Sequence, residues 1–261
     1  MKKIFFHHSV AVISFLTMFS CSSGAQETGL MHPIEMADFI MDTPCQIIEH
    51  VGYTVCYNTK WHIPNWVAYE FTYDEVNGDI PRKGNDIFMH DPQAKGTVVN
   101  KYDYSRSGYD RGHMAPAGDM KWDQKAMTES FYLSNICPQT HSLNDGDWRI
   151  LEERIRAWVR KYGTLYIVCG PLVSDNPPTI ANGKIAVPYA FFKVILRKKG
   201  DGYEAIGFVF NNDETRGPLS SYAVSVDYVE DLTKIDFFSP LPDEAEEQAE
   251  CNLNLSSWGL R

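Results

Sequence analysis

The sequence predicts an α+β fold in which helices pack on a central antiparallel sheet. Residues 66–73 show the alternation of a strand, because Val67, Tyr69, Phe71 and Tyr73 fall on one face. Further strands are expected in three segments that are rich in apolar and aromatic residues and bounded by Gly, Pro or Asn, namely residues 164–169, 187–197 and 203–210. Strands before, between and after helical segments favour the α+β class.

Helical periodicity is clearest over residues 145–162. Trp148, Leu151, Ile155 and Trp158 recur at steps of three and four, which places one apolar stripe on a helix. Gly163 follows directly and is suited to end that helix. A second helix is predicted over residues 221–232.

The first residues have the layout of a targeting segment rather than of a folded domain. Lys2 and Lys3 precede an apolar run over residues 9–19, which is shorter than the roughly 20 residues of a membrane-spanning helix. Small residues and Cys21 follow, so residues 1–20 are interpreted as a secretory signal peptide. A lipid on Cys21 would be the only link to a membrane, and plain secretion is the alternative.

These features divide the 261-residue chain into four parts. We expect a signal peptide at 1–20, a lipoprotein tether at 21–40, a catalytic domain at 41–242 and an acidic C-terminal tail at 243–261. The corresponding location is outside the cytoplasm, as a periplasmic or outer-membrane lipoprotein or a secreted protein. The oligomeric state cannot be read from these features.

The formal net charge of −10 argues mildly against binding to nucleic acid, which usually needs a basic face. A local basic groove and a metal ion can act under a negative total, and much of the acid is concentrated in residues 242–250. The charge therefore limits where nucleic acid could bind without excluding it.

The cysteines suggest one disulfide. Cys45 and Cys56 are eleven positions apart and flank a Gly-Tyr turn, so they could close a hairpin if their Cα atoms lie about 4.4–6.8 Å apart. Cys137 and Cys169 are expected to be buried as free thiols, because unpaired cysteine is among the most buried residue types.

The segment Tyr109-Asp110-Arg111-Gly112-His113 carries the sharpest chemical signal. On an extended chain Arg111 and His113 point to the same side, because side chains alternate with period two. A guanidinium can clamp the non-reacting oxygens of a phosphodiester, and an imidazole can remove a proton from the attacking water. Gly112 between them allows a close approach of other atoms to the backbone.

A second segment supplies the context for this pair. Together the two resemble the DNA/RNA non-specific endonucleases, the group with a ββα-metal active-site motif. The family's Asp-Arg-Gly-His core stands at residues 110–113, and its Ser-Asn-Ile-x-Pro-Gln element stands at residues 134–139. Its metal-binding asparagine falls on Asn144, its helical glutamate on Glu152 and a further arginine on Arg156. The resemblance extends over about residues 45–240.

The resemblance implies a role for each of these residues. His113 would be the general base, Arg111 the phosphate clamp and Asn144 the metal ligand, while Glu152 would orient a water on the metal. Arg156 would act in catalysis, or would form a simple helix-surface ion pair with Glu152, four positions earlier. A neutral amide ligand suits a hard ion such as Mg²⁺, with Mn²⁺ as the alternative.

The implied substrates are DNA and RNA, cleaved with little base preference to leave 5′-phosphates. One position departs from the family: the phosphate-binding arginine expected shortly before Phe88 is absent, which leaves Arg82 or Lys83 for that role. Two alternatives remain, a catalytically weak surface lipoprotein that binds nucleic acid and a phosphodiesterase that acts on another substrate. Asp110 is interpreted as a structural hydrogen-bond acceptor.

Overall fold

The fold is described from a computed structural model, which covers residues 37–39, 43–82, 84, 87–214 and 216–261. All of these fall in one compact unit. The expected signal peptide and the lipid-bearing Cys21 lie outside the described residues. Among the helices that are described, none is long and apolar enough to cross a bilayer.

The described strands come before and between the helices. The strands are β1 (Ala37–Phe39), β2 (Gln46–Glu49), β3 (Thr54–Asn58), β4 (Ile63–Phe71), β5 (Asp110–His113), β6 (Ile136–Gln139), β7 (Leu165–Leu172), β8 (Thr179–Ile180), β9 (Ile185–Ala186), β10 (Ala190–Lys199), β11 (Gly202–Asn211), β12 (Ala223–Val224) and β13 (Ile235–Phe237). The helices are α1 (Gln124–Glu129), α2 (Arg149–Tyr162), α3 (Val226–Thr233) and α4 (Asp243–Glu250).

Seven strands form the central sheet in the order β12-β11-β10-β7-β4-β3-β2, and every neighbouring pair is antiparallel. Three antiparallel pairs lie outside it, β1 with β13, β5 with β6 and β8 with β9. The predicted α+β class with a central antiparallel sheet is therefore confirmed.

Strand β4 shows how the alternating sequence builds two buried faces. Val67, Tyr69 and Phe71 pack into one apolar cluster, while Trp66 and Ala68 pack into another on the opposite face. The prediction is confirmed for these positions and is wrong for Tyr73, which lies beyond the end of β4 and is 55% exposed. Strand β6 lies on the face of Val67, and helix α3 lies on the face of Trp66.

Helix α2 buries the predicted stripe and ends before Gly163, whose φ of 88° is costly for residues with a Cβ. Its start differs from the prediction, because residues 143–148 form a wider π-helical turn. Gly146 has non-helical angles there (φ −111°, ψ −114°), so α2 proper begins at Arg149. The region predicted as a single helix is thus two segments, and Asn144 lies before the break.

The second predicted helix is shorter than expected. Val224 pairs with Gly207 as part of strand β12, and the Ser225 hydroxyl then accepts a hydrogen bond from the Tyr228 amide at 3.2 Å. This N-cap starts α3 at Val226. A strand pairing with a distant partner thus replaces the first turn of the helix that local periodicity predicts.

Both ends of the expected catalytic domain continue into ordered structure. Before residue 41, Phe39 of β1 pairs with Ile235 of β13. After residue 242, the acidic segment forms α4, which packs against β11. Trp258 beyond it is fully buried, and its carbonyl accepts a hydrogen bond from the Trp158 indole at 2.8 Å. Residues 243–261 therefore pack with the rest of the fold.

The cysteine prediction is confirmed. Cys45 and Cys56 form a disulfide with their Cα atoms 5.2 Å apart, which links the residue before β2 to β3. Cys137 and Cys169 are buried free thiols, and burial raises the pKa of each.

Candidate active site

Strands β5 and β6 and the wide turn before α2 form the ββα arrangement of the site. The strands pair in antiparallel register, so that Gly112 lies opposite Cys137 and His113 opposite Ile136. A Cβ at Gly112 would lie 1.9 Å from the side-chain oxygen of Gln139, which excludes any larger residue. The glycine therefore permits the close approach that the sequence indicates.

His113 is held by aromatic rings on two sides. Its ring centroid lies 5.3 Å from that of Phe88 and 5.0 Å from that of Phe131, the latter in an edge-to-face arrangement. The Trp148 indole donates a hydrogen bond to the His113 carbonyl at 3.1 Å, which ties the strand to the turn before α2. Burial, with Arg82 and Arg111 nearby, lowers the pKa of His113 to about 3, so the ring is neutral at physiological pH.

The two ring nitrogens of His113 have different surroundings. Nε2 is buried and has no hydrogen-bond partner among the described residues. The side chain as a whole is only partly buried and lines the cleft. Nδ1 is therefore the nitrogen that reaches the cleft.

Asn144 has its amide oriented by Asp110. Its Nδ2 donates to Asp110 Oδ2 at 3.0 Å, and His141 Nδ1 lies 2.8 Å from the same oxygen. Within the described part of the chain, Asn144 Oδ1 has no hydrogen-bond partner, although the side chain lines the cleft. A neutral oxygen donor held in this way fits a hard cation, and Asp110 acts as the structural acceptor that the sequence predicts.

Glu152 lines the same cleft from the first turns of α2. Burial raises the pKa of its carboxyl to about 7, and Lys193 opposes this rise. Lys193 is fully buried on β10, with its Nζ 3.4 Å from the Met114 carbonyl and 4.4 Å from the centre of the Trp148 ring. The buried Lys193 amino group thus lies next to the residue that follows β5, and no motif in the sequence indicated it.

Arg156 has a different partner from the one that helical spacing suggests. Its Nη1 donates to Asp119 Oδ1 at 2.8 Å, and the Tyr69 hydroxyl donates to Asp119 Oδ2 at 3.1 Å. Asp119 is buried, so this ion pair is a structural anchor rather than a pair on the helix surface. Arg156 nevertheless lines the cleft. A Cβ on Gly118 would lie 2.9 Å from the Arg156 Nη1, so a larger residue at position 118 would crowd the guanidinium.

The five predicted site residues line one cleft of about 530 Å³. Its lining contains five cationic side chains and three acidic ones, so the cleft is basic although the chain is acidic overall. The cations are Arg82, Lys101, Arg111, Arg149 and Arg156, and the acids are Asp110, Asp145 and Glu152.

Arg82, one of the two candidates for the phosphate-binding role that the sequence left open, lines the cleft. Its guanidinium lies 4.9 Å from the centre of the Phe131 ring, and that of Arg111 lies 4.4 Å from the centre of the Phe88 ring. The two arginines therefore lie over the same pair of aromatic rings that enclose His113. Lys83, the other candidate, lies outside the described residues.

A comparison with protein families identifies this arrangement. A model of the DNA/RNA non-specific endonuclease family matches residues 35–244. The chain belongs to this family. The protein is thus an endonuclease that hydrolyses phosphodiester bonds in nucleic acid, in a family of metal-dependent enzymes.

Named relatives and a solved structure agree with the family. The endonuclease is 35% identical to Nuclease C1 of Cunninghamella echinulata var. echinulata over 76% of this chain and 85% of the relative. It is 34% identical to mitochondrial endonuclease G of Bos taurus over 76% of this chain and 71% of that protein. A crystal structure of the EndoG/EndoGI complex matches with a TM-score of 0.71 at 30% identity, over 76% of this chain and 88% of that chain.

The comparisons contradict the predicted location. Relatives from Bos taurus, Homo sapiens and Schizosaccharomyces pombe are named as mitochondrial nucleases, which argues against a periplasmic or outer-membrane lipoprotein. The sequence argument failed because basic residues and a short apolar run are features that several kinds of targeting segment share. They do not specify a compartment.

Proposed function

We propose that Arg111, His113, Asn144, Glu152 and Arg156 form the catalytic centre, which cleaves DNA and RNA with little base preference and leaves 5′-phosphates. The observation that carries this proposal is their convergence on one basic cleft, with the His113 ring held neutral beside two arginines. Endonucleolytic hydrolysis itself follows from the family, whereas the residue roles and product ends are the proposal.

His113 is the general base in this proposal. Its ring is neutral at neutral pH and its Nδ1 faces the cleft, so an unprotonated Nδ1 can accept a proton from water. A pKa of about 3 makes a free imidazole a weak base, but two of its causes are the charges of Arg82 and Arg111. A phosphodiester anion bound between these guanidiniums offsets their charge and raises the basicity of His113 when substrate is present.

Asn144 is the proposed metal ligand, with Mg²⁺ as the ion and Mn²⁺ as a substitute. The ion would stabilise negative charge on the reacting phosphate and the leaving 3′-oxygen. Asp110 fixes the amide so that Nδ2 is used within the protein and Oδ1 is left for the cation. Glu152, whose carboxyl lines the same cleft, orients water there and contributes negative charge when ionised.

The arginines bind the phosphate. Arg111 lies two residues from the base on the same strand, and Arg82 reaches the cleft from the loop before Phe88. The ion pair with buried Asp119 holds the Arg156 guanidinium in place beside Gly118, where it supplies a positive charge to the cleft. Contacts of this kind address the sugar-phosphate backbone, which explains weak discrimination between bases and between DNA and RNA.

Cleavage of plasmid DNA and of a structured RNA, with Mg²⁺ and with EDTA, tests this proposal. His113→Ala is expected to lose about 10²–10⁴-fold in rate while binding of DNA is kept. His90→Ala, which removes a histidine outside the cleft, is the matched control and should cleave normally. Near-normal cleavage by His113→Ala would contradict the assignment of the base, and binding without cleavage by the unmodified chain would contradict a functional catalytic centre.

A further inference from the structure

Three carboxylates converge on the face of the sheet opposite the catalytic cleft. Asp227 and Glu230 belong to α3, and Glu250 belongs to the last turn of α4. Each offers an oxygen, and these three oxygens lie within 4.8 Å of one another. Through Val229 and Ala249 the two helices pack on the sheet face that carries Trp66, whereas the residues of β6 that border the cleft pack on the other face.

Glu250 is the most buried of these three carboxylates. Its side chain is 5% exposed, and its Oε1 is buried with no hydrogen-bond partner within the described residues. A buried carboxylate without a partner is strongly destabilised relative to one in water. One oxygen of this carboxylate lies within 4.8 Å of an oxygen of Asp227 and of an oxygen of Glu230, and these negative neighbours increase this cost.

The surrounding charges do not offset the repulsion. Glu246 on α4 also has a buried oxygen without a partner, and Asp236 of β13 contributes further negative charge. Among the described residues, no ion pair joins a basic side chain to Asp227, Glu230 or Glu250. Burial and these acidic neighbours raise the pKa of Glu250 to about 9, as expected where a counter-charge is missing.

We infer that Asp227, Glu230 and Glu250 bind a divalent cation, with Ca²⁺ as the best fit, at a site separate from the catalytic one. Oxygen ligands lie 2.3–2.6 Å from Ca²⁺, so ligands on opposite sides of the ion are about 4.6–5.2 Å apart. The three oxygens lie within 4.8 Å of one another, which is close enough for all three to contact one such ion. Carboxylates from two helices supply the oxygens that a hard cation prefers.

The position of the site points to a structural role. The family match ends at residue 244, so Glu250 lies outside the segment that this endonuclease shares with the family. A cation there would join α3 to α4 and hold the C-terminal helix against β11. It would stabilise the folded state by mass action and leave the catalytic cleft unchanged.

Calcium-dependent thermal unfolding of the full chain tests this inference. All variants carry Asn144→Ala, so that a response from the catalytic cleft is removed. With CaCl₂ added to protein freed of metal by EDTA and dialysed, we expect a saturable rise in Tm and a stoichiometry of one ion per chain by calorimetry. Glu250→Gln is expected to abolish the rise, whereas Glu247→Gln, an exposed glutamate on the same helix, should retain it.

Asp227→Asn provides a second test of calcium binding that does not require a substitution in the protein interior. This exposed change should raise the calcium concentration for half saturation by at least about tenfold, equivalent to about 1.4 kcal/mol. The absence of a saturable response, or an equal response in Glu250→Gln and Glu247→Gln, would overturn the site. These readouts do not use nuclease activity, so the site can fail without affecting the proposed function.

Discussion

Replacement of Glu152 by glutamine should stabilise the protein while it impairs cleavage. The carboxyl is buried beside Asp119 and Glu153, and its pKa is raised from 4.5 to about 7. A raised pKa means that the folded state binds the proton more tightly than the unfolded chain does. Ionisation of Glu152 therefore destabilises the fold, by an amount that is absent below pH 4.5, grows up to pH 7 and is complete above it.

The size of the effect follows from the two pKa values. At about 1.36 kcal/mol per pKa unit, a rise from 4.5 to about 7 corresponds to about 3 kcal/mol. Glutamine keeps the shape of the side chain and is neutral at every pH. Glu152→Gln should thus gain about 3 kcal/mol in the free energy of unfolding at pH 8 and almost nothing at pH 4.

Urea unfolding in EDTA at pH 4, 6 and 8 measures this gain. Glu153→Gln is the matched control, because that neighbouring carboxylate is exposed and pairs with Arg149 on the helix surface. Its effect should stay within about 1 kcal/mol and should not grow towards pH 8. An equal gain for Glu152→Gln at pH 4 and pH 8, or no gain at either, would refute the electrostatic reasoning.

Three further changes test other parts of the site. Asn144→Ala should raise the Mg²⁺ concentration needed for half-maximal cleavage, and an unchanged metal titration would move the ligand role to another residue. Lys193→Met removes a charge that lowers the pKa of Glu152, so the acid limb of the plot of kcat/KM against pH should move to higher pH. An acid limb that stays in place would contradict an influence of Lys193 on Glu152. Arg82→Ala should weaken DNA binding similarly for all DNA sequences and should reduce the slope of log K against log salt concentration by about 1. A loss of binding that depends on DNA sequence would contradict a phosphate contact.

The predictions from sequence succeeded where a short segment contains the information. Alternation in β4 assigned Val67 and Tyr69 to one buried face, and the spacing of Arg111 and His113 placed both on one strand beside the cleft. They were less successful where a distant partner decides. Helix α3 starts at Val226 rather than at residue 221, because β12 first pairs with β11.

Arg156 shows why spacing along a helix does not identify a partner. Glu152 is four residues away and compatible with an ion pair, yet the guanidinium binds Asp119, which is 37 residues earlier. Asp119 is 1% exposed, and the low polarity around it strengthens a charged hydrogen bond. Burial is a property of the folded chain, so sequence spacing could not reveal it.

The sequence by itself determined the family, the strand that carries the proposed base, the metal-ligand candidate and the disulfide, because each depends on residue types at short, fixed spacing. Only the tertiary structure decided which groups lie next to each charged side chain. It placed Arg82 over Phe131, Lys193 beneath the catalytic strand and Glu250 beside two carboxylates of α3. Electrostatic energies depend on distance and burial in space, and neither quantity is present in the order of residues along the chain.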